Sequence, residues 1–287
     1  MNEILVSLKF FLAAFYVVII ASASLSNSGI FLYQRRSLFL GAALPQIAGF
    51  GLLLSALFTE NKIITYVIVL VLCVLILGWH SSKGSLKLEN DAFIGIGFAV
   101  SMAGSLLIMA KSNAETHAYE SMFKGGILAS VGDDIFYTAV ICIPALLLLT
   151  IFKRRLLMVN MAPVQAELNG LNKWRIYEYL QFVCISATII ISMESLGTMG
   201  TFAFLLFPVI TVCQFAKKAN CLFYLCPILG IIAGISGLFV SIEYDLPAGP
   251  SIVGVLFIIW LVATIIKKTQ NLKLFQKNDI YNKKQLQ

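Results

Sequence analysis

The chain has 287 residues, is 59% hydrophobic and only 12% charged, and has a mean hydropathy of +0.90 and a formal net charge of +7. A soluble domain of this length needs more polar surface than that composition supplies, so a soluble globular protein is excluded. The positive balance would point to nucleic acid in a soluble chain, but placed between apolar runs it marks membrane topology, and no nucleic-acid partner is expected.

Apolar runs of spanning length recur along the chain and predict an all-α polytopic membrane protein with about nine transmembrane helices, eight at the fewest. In chain order they cover roughly 4–28, 38–58, 62–79, 92–110, 135–152, 176–193, 197–216, 221–241 and 251–267. The first, which contains "ILVSLKFFLAAFYVVIIASASLS", is apolar for too long and lacks the basic flank of a cleavable signal, so it is expected to stay as a span. Basic residues gather at Arg35–Arg36, at Lys83 and Lys87, at Lys153–Arg155 with Lys173 and Arg175, at Lys217–Lys218, and from Lys267 to Lys284. Each cluster falls on an alternate connection, whereas Glu60, Glu115, Glu120, Glu194, Glu243 and Asp245 fall on the others; Lys9, Lys62, Lys111 and Lys124 break the pattern. The positive-inside rule then places the N-terminus outside and the C-terminus inside, with one membrane domain over 1–268 and a basic cytoplasmic tail over 269–287. The six cysteines form no CxxC and read as small buried hydrophobes.

Three connections carry more than topology. "AYESMFKGGILASVGDD" (Ala118–Asp134) is too short and glycine-rich to span, and is expected as an outer loop or a re-entrant or interfacial helix. "KRRLLMVNMAPVQAELNGLNKWR" (Lys153–Arg175) is amphipathic, with Pro163 placed to start a short helix and Gly170 to stop it; it suits a docking role or a helix lying on lipid. "ISMESLGTMG" (Ile191–Gly200) sits between Arg175 and Lys217, which both belong on the inner side, so the stretch between them must cross twice. At 1.5 Å per residue it makes about 60 Å of helix, two crossings of a core about 30 Å thick. Glu194 is therefore expected near the outer turn, as a solvated acid or as an acid facing a vestibule that attracts a cation. Met193 and Met199 beside it either pack or add thioether donors. Glu243 and Asp245 are candidates for the same outer face.

The chain has no GxxxxGK[ST], HExxH or GxSxG motif, and its two histidines, His80 and His117, fall at connections on opposite sides. It is therefore not expected to bind ATP itself, to carry a cofactor or to act as an enzyme.

Four stretches together resemble the membrane-spanning subunit of bacterial metal-ion (zinc, manganese or iron) ABC importers. "SLGTMGTFAFLLFPVITV" (Ser195–Val212) is similar to that family's VGxLLVxALLIIPAATA, with Gly197, Ala203, Leu205, Leu206 and Pro208 at matching positions. "DLPAGPSIV" (Asp245–Val253) resembles DLPxGPxIV, "GGILASVGDD" (Gly125–Asp134) resembles GxILxVSxxD, and "RRSLFLGAALPQIAGFG" (Arg35–Gly51) resembles RRxxFLGDALSHAxLxG. "QAELNG" matches the family's cytoplasmic AxxxG at Ala166 and Gly170. Beside the resemblance, Pro208 permits a mid-span kink, Gly197 and Gly200 let helices approach closely, and Pro247, Gly249 and Pro250 set a tight turn before the last span.

The resemblance implies a permease subunit in the bacterial cytoplasmic membrane, working as a homodimer by alternating access. It also implies ATP-binding-cassette subunits docked on the 156–175 loop through Ala166 and Gly170, and an extracytoplasmic metal-binding protein that delivers cargo. One departure matters: the acid and histidine of GDALSH, one helical turn apart, are here Ala42 and Gln46, with Pro45 between them. A neutral pair cannot hold a divalent ion as a carboxylate and imidazole would. Gln46 becomes the candidate pathway residue of its span, and a metal chelate or an ion-coupled secondary carrier stays open as an alternative.

Overall fold

The computed structural model describes residues 2–35, 37–56, 62–82, 87–111, 132–161, 174–216 and 218–285, and every regular element among them is an α-helix. In chain order these are α1 (Asn2–Gln34), α2 (Leu38–Ala56), α3 (Lys62–Ser82), α4 (Lys87–Lys111), α5 (Gly132–Ile151), α6 (Lys153–Met161), α7 (Trp174–Cys213), α8 (Ala219–Glu243) and α9 (Ala248–Gln285). Helices follow from the composition, because apolar segments in lipid must satisfy every backbone N–H and C=O internally. Leu12–Gln34, Trp174–Cys213, Ala219–Glu243 and Ala248–Gln270 are each long and apolar enough to cross a membrane. Ile135–Ile151 joins Lys153–Met161 at a 71° bend, and Phe39–Leu54, Ile64–Ile76 and Ile94–Ile108 are shorter apolar helices.

α7 is not a straight rod. Gly197 has φ 75° and ψ 170°, a conformation open to glycine, and the helix folds back there into two arms. On the first arm, Thr188 meets Ser28 of α1 at 3.4 Å and Glu178 pairs with Arg35 just beyond α1. The second arm packs on the same part of α1: a Cβ on Gly29 would stand 2.0 Å from the Leu205 carbonyl oxygen, so only glycine permits this crossing. Cys213 at the far end of that arm meets Tyr33. Both ends of α7 thus lie at the C-terminal end of α1, which a straight 40-residue helix about 60 Å long could not achieve.

α1 is the central strut. It runs antiparallel to α8, with ring pairs Phe31–Phe223 at 5.5 Å and Phe15–Phe239 at 5.3 Å. α2 packs against α4 and α7, with Phe39 beside Phe98 at 6.1 Å. All six cysteines are free thiols.

Two features extend the sequence reading. α6 is a helix before Pro163; it buries Leu156 and Val159 on one side and leaves Arg154 and Arg155 exposed on the other, a short amphipathic cap. α9 continues to Gln285 through the stretch read as a tail, where no glycine or proline interrupts the helix. Residues 162–173, with Pro163, Ala166 and Gly170, lie outside the described residues, as does Ala118–Asp134 apart from the last three residues, which begin α5.

Candidate functional site

At the fold-back, the first arm of α7 meets α2 and α3. A Cβ on Gly49 would lie 3.4 Å from both Sδ and Cε of Met193 and 3.5 Å from the Thr198 methyl, so the methionine and the start of the second arm close on this side of α2. Gln46 lies one turn earlier on α2, only 6% exposed. The Tyr66 hydroxyl of α3 donates to the Glu194 carboxylate, which is half-buried. The structure therefore brings Met193 to within a turn of Gln46 along α2 and turns Glu194 toward α3. Met193 is fully buried while Met199 is 49% exposed, so the two thioethers do not converge.

Glu243 and Asp245 are exposed in the turn between α8 and α9. Asp245 adopts φ 50°, a left-handed position that aspartate tolerates. Ser241 clasps the turn: its hydroxyl donates to the Leu246 carbonyl at 2.6 Å, and its carbonyl accepts from the Leu246 N–H at 3.0 Å. Pro247 precedes α9, its carbonyl accepting the Ser251 N–H at 3.2 Å and hydroxyl at 2.9 Å, and Pro250 is exposed in the first turn. Gly249 is buried against Gly200, 3.7 Å from where a Cβ on the latter would stand, and this contact sets the acidic turn beside the fold-back. Pro208 is buried inside the second arm, its carbonyl accepting from the Cys226 thiol at 3.8 Å.

Chemically, the fold-back end offers mostly neutral donors: the Gln46 amide, the Met193 thioether, and the Thr198 and Thr201 hydroxyls, which are buried with no hydrogen-bond partner among the described residues. Neutral oxygen and thioether donors hold a divalent transition metal weakly, which suits passage better than storage. Among the described residues no group of three or more His, Cys, Asp or Glu is placed to hold a metal ion.

Sequence reasoning missed two features. The first is a polar stripe on α1, where Ser22, Ser24, Ser26, Asn27 and Ser28 are all fully buried. Ser24 donates to the Cys142 carbonyl at 3.2 Å, Asn27 to the Thr150 hydroxyl at 3.5 Å, and Cys142 meets Ser192 at 3.9 Å, which ties α1, α5 and the first arm of α7 together. "SASLSNSG" is plain in the sequence, but the apolar average of its span conceals it.

The second lies at the other end of α7. Arg35 Nη2 donates to Glu178 Oε1 at 2.8 Å, Nε donates to Asn160 Oδ1 at 2.9 Å, and the guanidinium lies 4.6 Å from the Phe182 ring centroid. The paired side chains are 12% and 11% exposed. Burial pushes the Arg35 guanidinium below its ordinary range, and the Glu178 carboxylate opposes that shift. Further cationic contacts gather at this end: Lys153 over the Phe223 and Tyr224 rings at 5.5 and 5.0 Å, Arg155 on the Tyr177 hydroxyl, and Lys267 on the Gln214 carbonyl.

Comparison with known proteins sets this bundle among transporters. A family model described as the ABC 3 transport family matches residues 7–267. The manganese import system permease protein ScaB of Streptococcus gordonii is 28% identical over 242 residues, covering 84% of this chain and 86% of that protein. The high-affinity zinc uptake system membrane protein ZnuB of Buchnera aphidicola is 24% identical over 240 residues, 83% of this chain and 91% of the relative. Among solved structures, PsaBC from Streptococcus pneumoniae in complex with Fab superposes with a TM-score of 0.79 at 24% identity, covering 95% of this chain and 99% of that one; at that identity the likeness shows the fold alone.

Proposed function

The chain belongs to the ABC 3 transport family, and on that premise we propose that it is the permease subunit of an ATP-binding-cassette importer that moves a transition-metal ion across the bacterial cytoplasmic membrane. The observation that carries the reading is a family match running from α1 into α9, joined to relatives of matching length whose names specify manganese and zinc uptake. The chain is a transport subunit; ATP is hydrolysed by partner subunits docked on the 156–175 loop through Ala166 and Gly170, and cargo arrives on an extracytoplasmic binding protein. Two copies form a homodimer with the pathway at its two-fold axis.

The proposed thread crosses nine times, N-terminus outside and C-terminus inside, with α7 supplying two crossings and α6 none. In its support, Arg35, Lys153, Arg155 and Lys267 share one end of the bundle through their contacts, while the Gly200–Gly249 contact places the turn of Glu243 and Asp245 at the other. Glu194, Glu243 and Asp245 then form an acidic outer rim that draws cations toward the fold-back. Gln46 and Met193 act as weak neutral ligands on the route inward, and Met199 stands beside the entrance.

The test is reconstitution with the ATPase and binding protein in proteoliposomes, followed by uptake of manganese(II), zinc(II) and iron(II). ATP-dependent accumulation of one of these ions is expected. Uptake that needs a proton gradient and no ATP would make the chain a secondary carrier. Ala42 and Gln46, neutral at the positions of an acid and a histidine in the family pattern, favour a chelated metal as the second reading, and the same assay with chelate in place of free ion separates the two.

A further inference from the structure

Arg35 stands where three segments meet. It directly follows α1. Asn160, which accepts from its Nε, is the penultimate residue of α6, two positions before the chain enters 162–173. Glu178, which accepts from its Nη2, lies in the second turn of α7, shortly after the chain leaves that segment. One guanidinium therefore clasps the end of α6 and the start of α7 to the end of α1, whose apolar span is 78% buried.

The arrangement is a costly way to gain stability. Taking two charges out of water costs about as much as their attraction returns, and a well-packed apolar pair of the same volume often serves as well. What an ion pair adds is geometry, since an arginine fork fixes two acceptors at set angles as a flexible apolar contact does not. The node also has unused capacity: Asn160 Nδ2 is buried without a hydrogen-bond partner among the described residues, so a second arrangement of the same groups has a donor to use. From Arg35 the connection continues into the bundle, since α1 carries the buried polar stripe and touches both arms of α7.

We propose that Arg35 is the positioning residue that couples α6 and the start of α7 to α1, so that displacement of either reaches α1 and both arms of α7, through its clasp on Asn160 and Glu178. This rests on the reading of the chain as a permease driven by docked ATPase subunits. A push on α6 or on the start of α7 moves the two together, because both are held by one side chain, and α1 moves with them. Without the clasp the ATPase still docks and still turns over, but its motion is absorbed between α6 and α7.

The test uses the full transporter in proteoliposomes with manganese(II), or whichever ion the wild type accumulates. The main variant is the double substitution Arg35→Gln with Glu178→Gln, which leaves no orphaned buried charge; Asn160→Ala, which removes one contact and keeps the ion pair, is the second. Three quantities are read: ATPase retained on the purified chain, ATP hydrolysed, and ion taken up per ATP. Retention and hydrolysis near wild type are expected, with uptake per ATP lower by about tenfold in the double variant and about threefold in Asn160→Ala. Unchanged uptake per ATP in Asn160→Ala and in any double variant that assembles would overturn the proposal. So would hydrolysis and uptake falling in proportion, which is the signature of a purely structural contact. Failure of the function reading looks different, since the wild type itself would then show no ATP-driven uptake.

Discussion

The first arm of α7 carries an acid near each end, and the two are held in different ways. Glu178 is nearly buried and faces a guanidinium that also grips a second helix, whereas Glu194 is half-buried and accepts from the phenol of Tyr66. The basic end is fixed by charge and the fold-back end by neutral contacts and a glycine turn. On the proposed function this asymmetry puts rigid geometry where a drive subunit would engage and softer contacts where cargo would pass.

The comparison breaks most readily on the two acids. Glu178→Ala leaves Arg35 buried without its counter-charge and is expected to cost about 3–5 kcal/mol. Glu194→Ala leaves a phenol that can reorient, at a cost of about 1 kcal/mol. Thermal unfolding of the purified protein in detergent measures both, and equal shifts would remove the distinction between the ends. A smaller loss than that of Glu178→Ala, about 1–2 kcal/mol, is expected from Gly197→Ala, because an L-residue at φ 75° is strained wherever its side chain points. A stabilised protein would mean that the fold-back does not depend on that backbone position.

Gln46→Leu sharpens the comparison from the fold-back end, since leucine keeps the apolar bulk at a position only 6% exposed while removing the amide. Uptake normalised to folded protein in the membrane is expected to fall by several-fold, roughly the worth of one weak ligand in the route. Normal uptake per molecule would place Gln46 in helix packing and leave the route to other residues.

Much of the helical framework is legible in the sequence because lipid leaves few alternatives: apolar runs become helices, and Arg175 with Lys217–Lys218 force the intervening stretch to double back. The turn itself falls at Gly197, which the motif reading assigned to close packing; a positive φ is a backbone demand that hydropathy does not report. The Arg35–Glu178 clasp was hidden for another reason. Its partners lie 143 residues apart in the chain, and a basic residue beside a span reads as topology until its neighbour in space is known. The α1 stripe escaped because five small polar residues change the mean hydropathy of a long span little. That Met193 on the first arm is buried and Met199 on the second is exposed depended on how the two arms pack after the break at Gly197, which spacing alone leaves open.

The thread through α7 is tested most directly by the sidedness of its flanks. Arg175, Lys218 and Asp245 are all exposed, and each is replaced singly by Cys in the full chain. Labelling of intact cells by a membrane-impermeant thiol reagent is then compared with that of the unsubstituted protein. Added labelling is expected at Asp245→Cys from outside, and at Arg175→Cys and Lys218→Cys only after the membrane is opened. If Arg175→Cys and Lys218→Cys were labelled from opposite sides, α7 would cross once, and the account of a folded-back helix with both ends on the driven face would be wrong.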